Sequence, residues 1–358
     1  MNNKFFVSCG EMSGDLHLSY IINGIKKIDS SAEFYGMVGD KSIAEGATVL
    51  QHIKDNDIMG FTEIIKKYKY FKNKAVEYID FIKKNNIKNI IFVDYGGFNI
   101  RFFELLKKEI SDIRTFYYIP PKVWAWGEKR IIKLEKVDEI IVIFPWEKEF
   151  YDKKGVRVSY FGNPFIDKYD FSDEYGEKIL LLPGSRRQEI TKILPVMLDF
   201  VKENKDENFI LKLADKSHMT YVEFNKKEYP NLEISFGTLQ KLRNFSRLAI
   251  ATSGTVTFET ALMGLPVIVG YKTSFINEFI AKKILKIRYI SLTNIGMKRE
   301  VLPELLQKDF NPDKIKEKVN FIDNSKNDVI KLLTDSRNTM GKKGVIEQIS
   351  KFILERAL

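Results

Sequence analysis

A single cysteine, Cys9, and three scattered histidines, His17, His52 and His218, are all that the 358 residues offer to soft metals or disulfide chemistry. One cysteine excludes a disulfide framework and a cysteine zinc site and fits a reducing compartment. Histidines so far apart suggest no metal centre. Long apolar runs are also missing. No stretch approaches the roughly 18 apolar residues of a membrane span. The apolar part of MNNKFFVSCG is shorter than the roughly 7–15-residue core of a secretory signal, so it reads as a first β-strand. These absences lead us to expect a cytoplasmic chain, soluble or attached to a surface. Internal repeats and low-complexity tracts are lacking as well.

What is there is ample core. With 44% apolar and 13% aromatic residues, the length suggests two domains of ordinary size. The net charge of +10 allows anionic partners such as nucleic acid, anionic lipid or a phosphorylated substrate. Much of the excess, however, lies in solvated helical stretches such as NPDKIKEKVN. No nucleic-acid motif or basic stripe accompanies it, so no nucleic-acid partner is expected.

Short β-rich runs (KFFVSC, NIIFVDY, RTFYYI, EIIVIFPW) alternate with helical stretches. After residue 162 the polar, proline-broken GNPFIDKYDFSDEYGEK reads as a linker. A second series follows: ILLLPGS, FILKLA, LEISFG, LAIATSG and PVIVGY. The expected fold class is α/β, two Rossmann-like doubly wound domains facing a central cleft. The domains are expected at 1–165 and 176–334, with an amphipathic C-terminal helix over 335–358 that packs on either.

Ligands of such folds bind beyond the strands' carboxyl ends. There the chain has SCGEMSGD, a glycine turn of the kind that cradles phosphate, yet Glu11 and Asp15 would repel one. In the second half, Gly184, Ser185 and Arg186 form a turn suited to phosphate, with Arg186 able to fork onto its oxygens. Ser253, Gly254 and Thr255 then open a helix whose next turn carries Glu259. Helix-start amides suit a diphosphate and a carboxylate one turn deeper suits ribose hydroxyls. Together they suggest a nucleoside diphosphate. Asp55-Asn56-Asp57 has the spacing of a metal-binding acidic triplet, but lies in the other half; solvated carboxylates are its simpler reading.

The set GEMSGDLH, VDYGGFNIRF, VWAW, LLPGSRRQEI, SGTVTFETALMGLPVIVGYK and REVLPELLQ, in this order from about residue 4 to 310, resembles the lipid-A-disaccharide synthases. The resemblance implies an inverting glycosyltransferase of the two-Rossmann (GT-B) type. Such an enzyme moves 2,3-diacylglucosamine from UDP onto the 6-hydroxyl of 2,3-diacylglucosamine 1-phosphate, with no metal and no other cofactor. It further implies Asp94 as general base, with Glu11 and Asp15 as rivals, and substrate-binding roles for Ser13, Asn99, Asn294, Arg299 and Glu300. Asp15 is equally suited to cap the helix that follows it, and Asp94 to form a turn. The family pattern is broken at Gly97, where a second acid is usual, and at Asn163, where histidine is frequent.

Lipid substrates imply attachment to the cytoplasmic face of the inner membrane. In residues 61–84 one apolar stripe reads as a core face, while Tyr70 and Phe81 project from the opposite side among Lys66, Lys67, Lys74 and Lys84. The alternative function is a UDP-N-acetylglucosamine 2-epimerase-like isomerase, which shares the architecture but needs no acceptor.

Overall fold

The computed structural model describes residues 3–56, 64–125, 127–221, 225–272 and 288–358, with backbone alone at 56 and over 64–69. Two compact units emerge: Met1–Asp167 with Lys342–Leu358, and Lys168–Gly341.

In the first unit the strands are β1 (Lys4–Ser8), β2 (Glu33–Val38), β3 (Thr48–His52), β4 (Asn89–Val93), β5 (Arg114–Tyr118), β6 (Glu139–Val142) and β7 (Ser159–Tyr160). They form one parallel sheet in the order β3-β2-β1-β4-β5-β6-β7. The crossovers include α1 (Met12–Ile28), α2 (Asp40–Ala44), α3 (Ile64–Lys84), α4 (Gly96–Glu109), α5 (Ile131–Leu134) and α6 (Pro145–Lys153), before α7 (Phe165–Lys168). Central strands buried on both faces need continuous apolar runs, and all five residues of β4 are buried. The strands not foreseen, β2, β3 and β7, are less uniform: β2 contains Gly36, β3 is half exposed and β7 has two residues.

The second unit repeats the plan with β8 (Lys178–Leu182), β9 (Phe209–Lys212), β10 (Leu232–Ser235), β11 (Ser246–Thr252), β12 (Val267–Tyr271) and β13 (Glu304–Leu306). All are parallel in the order β10-β9-β8-β11-β12-β13. Helices α8 (Arg187–Glu203), α9 (Leu239–Arg243) and α10 (Thr255–Leu262) follow β8, β10 and β11. In both sheets the winding direction reverses beside the first strand, between β1 and β4 and between β8 and β11. That reversal leaves a crevice at the carboxyl ends of those strands.

Two expectations about the joints change. The presumed linker is anchored at both ends. Phe165 and Ile166 are buried in the first unit, whereas Tyr169, Phe171 and Tyr175 pack against a core cluster of the second. Arg243 donates to the carbonyls of Ser172 and Glu174, and Arg337 to that of Tyr169 at 2.7 Å. The boundary expected after residue 334 falls inside the helix Lys326–Asn338, and the chain re-enters the first unit at Lys342.

The C-terminal helix Val345–Arg356 is fastened there by polar and close-packed contacts. The Asp167 carboxylate accepts from the amides of Gly344 and Ile346, both at 2.7 Å, and Asn89 pairs with the backbone of Leu358. Its seat on α1 depends on a missing side chain: a Cβ on Gly24 would meet Ser350 Oγ at 2.2 Å and Ile346 Cγ2 at 3.0 Å. Gly24→Leu should therefore destabilise the protein by roughly 1–3 kcal/mol through overpacking. Gly97→Ala, with nothing within 4 Å of its new methyl, should be neutral or stabilising by up to ~1 kcal/mol. Urea unfolding of the two variants measures the contrast.

Candidate functional site

At the β1/β4 crevice the structure brings together two loops that lie 85 positions apart in sequence, Gly10 to Tyr95. A Cβ on Gly10 would fall 2.1 Å from the ring of Tyr95, so only glycine lets the Cys9–Glu11 turn approach the end of β4. Asp94 and Tyr95 both adopt φ of 45°, and Ile119 at the end of neighbouring β5 has φ of 56°. Left-handed backbone is uncommon outside glycine, and a β-branched residue there is a marked outlier. Three such residues at adjacent strand ends persist only where surrounding structure holds them. It does so here: Asp94 N donates to the carbonyls of Tyr118 and Ile119 at 3.3 and 3.1 Å, and its own carbonyl accepts from Tyr117 Oη at 2.7 Å and Asn99 Nδ2 at 3.0 Å. Burial pushes the Tyr117 hydroxyl well up from its ordinary pKa, and the nearby Asp94 charge adds to this.

Several residues expected at substrate are committed elsewhere. Asn99 is fully buried; it accepts from Ser8 Oγ at 2.6 Å and donates to the carbonyls of Ser8, Val93 and Asp94, so it ties β1 to β4 under the loop. Asp15, 3% exposed, is no rival base: its carboxylate accepts from the amides of Gly39, Lys41 and Ser42 at 2.8, 2.9 and 3.2 Å, capping α2. Glu11 is exposed at the α1 N-cap and Ser13, the second residue of α1, is half-buried. His17 is buried among Tyr20, Tyr118 and Phe165, and burial lowers its pKa to about 3, so the ring stays neutral. Asn163 bonds the carbonyl of Ile143 and the amide of Phe165 within the first unit.

Composition gave no hint of Glu147. It lies on α6 at 2% exposure and accepts from Nε1 of Trp124, the first tryptophan of VWAW, at 3.1 Å. Among the described residues its other oxygen has no hydrogen-bond partner, nor do the nearby Trp146 Nε1 and Tyr151 Oη. Burial pushes the carboxyl up to about 7, against the opposing pull of the Trp124 hydrogen bond and the Lys122 charge. The loop that Trp124 belongs to also carries Pro121, whose ring fills the space a Cβ on Gly96 would need. Glu147 thus braces the same strand ends as Asp94.

In the second unit, at the β8/β11 crevice, Gly184 has φ of 110° and a Cβ there would strike the Glu189 carboxylate. That carboxylate accepts from the amides of Ser185 and Arg186 at 3.2 and 3.4 Å and pairs with the Arg186 guanidinium at 3.3 Å. The expected phosphate turn is therefore filled by the protein's own acid, and the exposed Arg186 is held on it. Among the described residues the second turn is open: an added Cβ on Gly254 meets nothing within 4 Å, and Thr255 starts α10. The Ser253 amide is used by the Gly270 carbonyl, which leaves the α10 amides beyond Gly254 as the donors. Glu259 accepts from Tyr169 Oη at 2.8 Å.

Lys212, also unforeseen, ends β9 on the face of Ile210, the face that packs on Ala261 of α10. Burial lowers its pKa and the Glu259 charge opposes this. Asn294 is fully buried; it binds the backbone of Val301 and Leu302 and the Glu304 carboxylate, so it shapes a loop. Arg299 and Glu300 are exposed on that loop, Arg299 3.9 Å from Asp335.

Tyr70 and Phe81 are not free aromatics on a lysine face. Tyr70 accepts from Gln51 of β3 at 3.1 Å and Phe81 packs on Tyr35 of β2, both rings half-buried against the sheet edge. Lys74 pairs with Glu77; the side chains of Lys66 and Lys67, like Asp57 and Trp126, lie outside the described residues. Among the described residues no helix is long and apolar enough to cross a membrane.

Two variants separate scaffold from chemistry. Asp15→Ala strips three amides of their acceptor and should cost roughly 2–4 kcal/mol of stability, while the folded fraction keeps its activity; urea unfolding alongside turnover reads both. Glu147 binds its proton more tightly folded than unfolded. Stability should therefore fall as pH rises from about 4.5 to about 7 and then level off, by ~3 kcal/mol in all. Glu147→Gln should flatten that slope, as followed by unfolding across the same pH range.

Comparison with known proteins accords with this geometry. The family model described as Lipid-A-disaccharide synthetase matches residues 5–354. The lipid-A-disaccharide synthase of Sulfurihydrogenibium sp. (strain YO3AOP1) is 33% identical, covering 98% of this chain and 97% of its own. That of Persephonella marina is 30% identical over 99% of each. Among solved structures, the calicheamicin glycosyltransferase CalG4 (TM-score 0.64, 11% identity, 99% of this chain and 98% of its own) has the same fold. So does the UDP-GlcNAc 2-epimerase from Neisseria meningitidis bound to UDP-GlcNAc (TM-score 0.60, 12% identity, 99% of each), a likeness that ends at the fold. Two doubly wound units with glycosyltransferase neighbours, and a family match over almost the whole length, lead to one conclusion: the chain belongs to the lipid-A-disaccharide synthase family, glycosyltransferases of lipid A biosynthesis.

Proposed function

We propose that the chain transfers 2,3-diacylglucosamine from its UDP conjugate to the 6-hydroxyl of 2,3-diacylglucosamine 1-phosphate with inversion, forming a β-1,6 disaccharide 1-phosphate and UDP. The observation that carries the assignment of roles is the strained Asp94–Tyr95 pair at the β1/β4 crevice, where the backbone is gripped from both sides. Asp94 takes the proton of the acceptor hydroxyl as its oxygen attacks the anomeric carbon. The carbon–oxygen bond to UDP breaks, and its electron pair leaves on the diphosphate.

In the second unit the diphosphate is received by the first-turn amides of α10, with Gly254 leaving room and Lys212 adding positive charge. Glu259 receives the ribose hydroxyls. Ser185 and Arg186, held by Glu189, shape the separate Gly184 turn and contribute little to phosphate binding. Helix amides and lysine offset the developing charge, so the reading assigns no metal. Glu11 and Ser13, across from Asp94 on the Gly10 turn, bind sugar hydroxyls. Acting on lipids, the protein associates peripherally with the cytoplasmic face of the inner membrane, a location that its net charge of +10 favours.

The test is a purified assay with both lipid substrates and linkage analysis of the product. Asp94→Asn should bind UDP normally while transfer falls roughly 10²–10⁴-fold. Near-normal transfer by the folded variant would remove Asp94 as the base, and absence of any disaccharide from the unaltered protein would remove the activity.

A further inference from the structure

The first unit has a groove between α3, α4 and α5, a cavity of about 730 Å³, within the ~300–1,000 Å³ usual for small-molecule sites. On α4, Phe98, Arg101, Phe102 and Leu105 recur at i, i+3, i+4 and i+7 and so form one face. Phe71 and Ala75 of α3 make the opposite wall. One end lies beside the catalytic loop: the Phe71 ring is 5.4 Å from Phe98 and 6.2 Å from Tyr95, the neighbour of Asp94. The other end, at Leu105, is seven residues farther along the helix, about 10 Å.

The lining holds six cationic side chains against one carboxylate, Glu104. Lys107 is paired with Asp138 and Lys133 with Glu104. Lys72, Lys108 and Lys136 form no ion pair among the described residues. An apolar floor under a cationic rim matches an amphiphile with an apolar tail and an anionic head. A neutral hydrocarbon would leave the rim unanswered, and a polar anion would leave the half-buried Phe71 and Leu105 uncovered, since the phenylalanines beneath them are already buried.

We propose that this groove is the subsite for an acyl chain of the phosphorylated lipid acceptor: the chain runs along α4 from Tyr95 towards Leu105, and the phosphate is held at the Tyr95 end by Lys72, beside Phe71. The assignment rests on the lipid-acceptor reading given above and adds where that lipid is seated. It also explains why α4 exposes Leu105 on the same face as buried phenylalanines.

Leu105→Trp, at a half-exposed position, extends a ring into the groove, and Lys72→Glu reverses charge at its exposed rim beside Phe71. For the unaltered protein, the acceptor KM should rise about fourfold for each methylene removed from the chain that occupies the groove. Leu105→Trp should raise the acceptor KM by roughly tenfold or more, flatten the chain-length dependence and leave the UDP-sugar KM unchanged. Dodecyl phosphate, followed by titration calorimetry, reads the subsite without turnover: it should bind the unaltered protein, and binding should weaken in both variants. Such binding in a protein that makes no disaccharide would keep the subsite and discard the activity. Unchanged acceptor KM and chain-length dependence in Leu105→Trp, or an unchanged acceptor KM in Lys72→Glu should the tryptophan variant not fold, would overturn the proposal. Loss of sedimentation with phosphatidylglycerol vesicles at unchanged acceptor KM would overturn it too, since the groove would then take membrane lipid.

Discussion

A parallel sheet wound outward in both directions from one central strand pair sends the following helices to opposite faces, and the carboxyl ends of that pair stay uncovered. The rest of this molecule depends on that constraint, and it is met twice. In the first unit β1 and β4 are the pair, and their ends deliver the Gly10 turn and Asp94. In the second, β8 and β11 deliver Gly184 and Gly254. Glycine recurs at these ends because backbone must approach backbone or ring, as Gly10 does Tyr95.

Around Asp94 the buried polar groups serve geometry. Asn99 spans β1 and β4 with both ends of its amide, Tyr117 holds the Asp94 carbonyl, and the Tyr118 and Ile119 carbonyls hold its amide. Each left-handed non-glycine residue costs on the order of 1–3 kcal/mol, and these hydrogen bonds, made away from water, offset it. Glu147 extends the bracing through Trp124, at the expense of a carboxyl held out of water and pushed up to about 7.

Carboxylates and oriented backbone amides seek each other whether the acid belongs to a ligand or to the chain. Asp15 meets the amides of α2, Glu189 those of the Gly184 turn, and Glu304 those of Ile290 and Ser291. In sequence such an acid looks the same as one facing substrate. That is why Asp15 stood as a rival base and the Gly184–Arg186 turn as a phosphate site.

Sequence by itself determined the α/β class, the two series of central strands and the family. Short apolar runs rich in β-branched and aromatic residues, bounded by turns and alternating with helical stretches, fit parallel strands buried on both faces, and motifs such as VWAW and SGDLH are specific in order and spacing. It also marked the loops that matter, since glycine and acid directly after a strand are visible in one dimension. Only tertiary structure decided which polar side chain within each loop is spent on the fold. Asn99 and Asn294 went to backbone groups, Tyr70 and Phe81 to the sheet edge, and the linker aromatics to the second core. Lys212 and Glu147, silent in sequence, gained their meaning from α10 and from the Trp124 loop respectively. The physical reason is that a hydrogen bond or a buried ring is satisfied by whichever partner folding brings within reach, and for Asn99 those partners lie anywhere from 5 to 91 residues away along the chain.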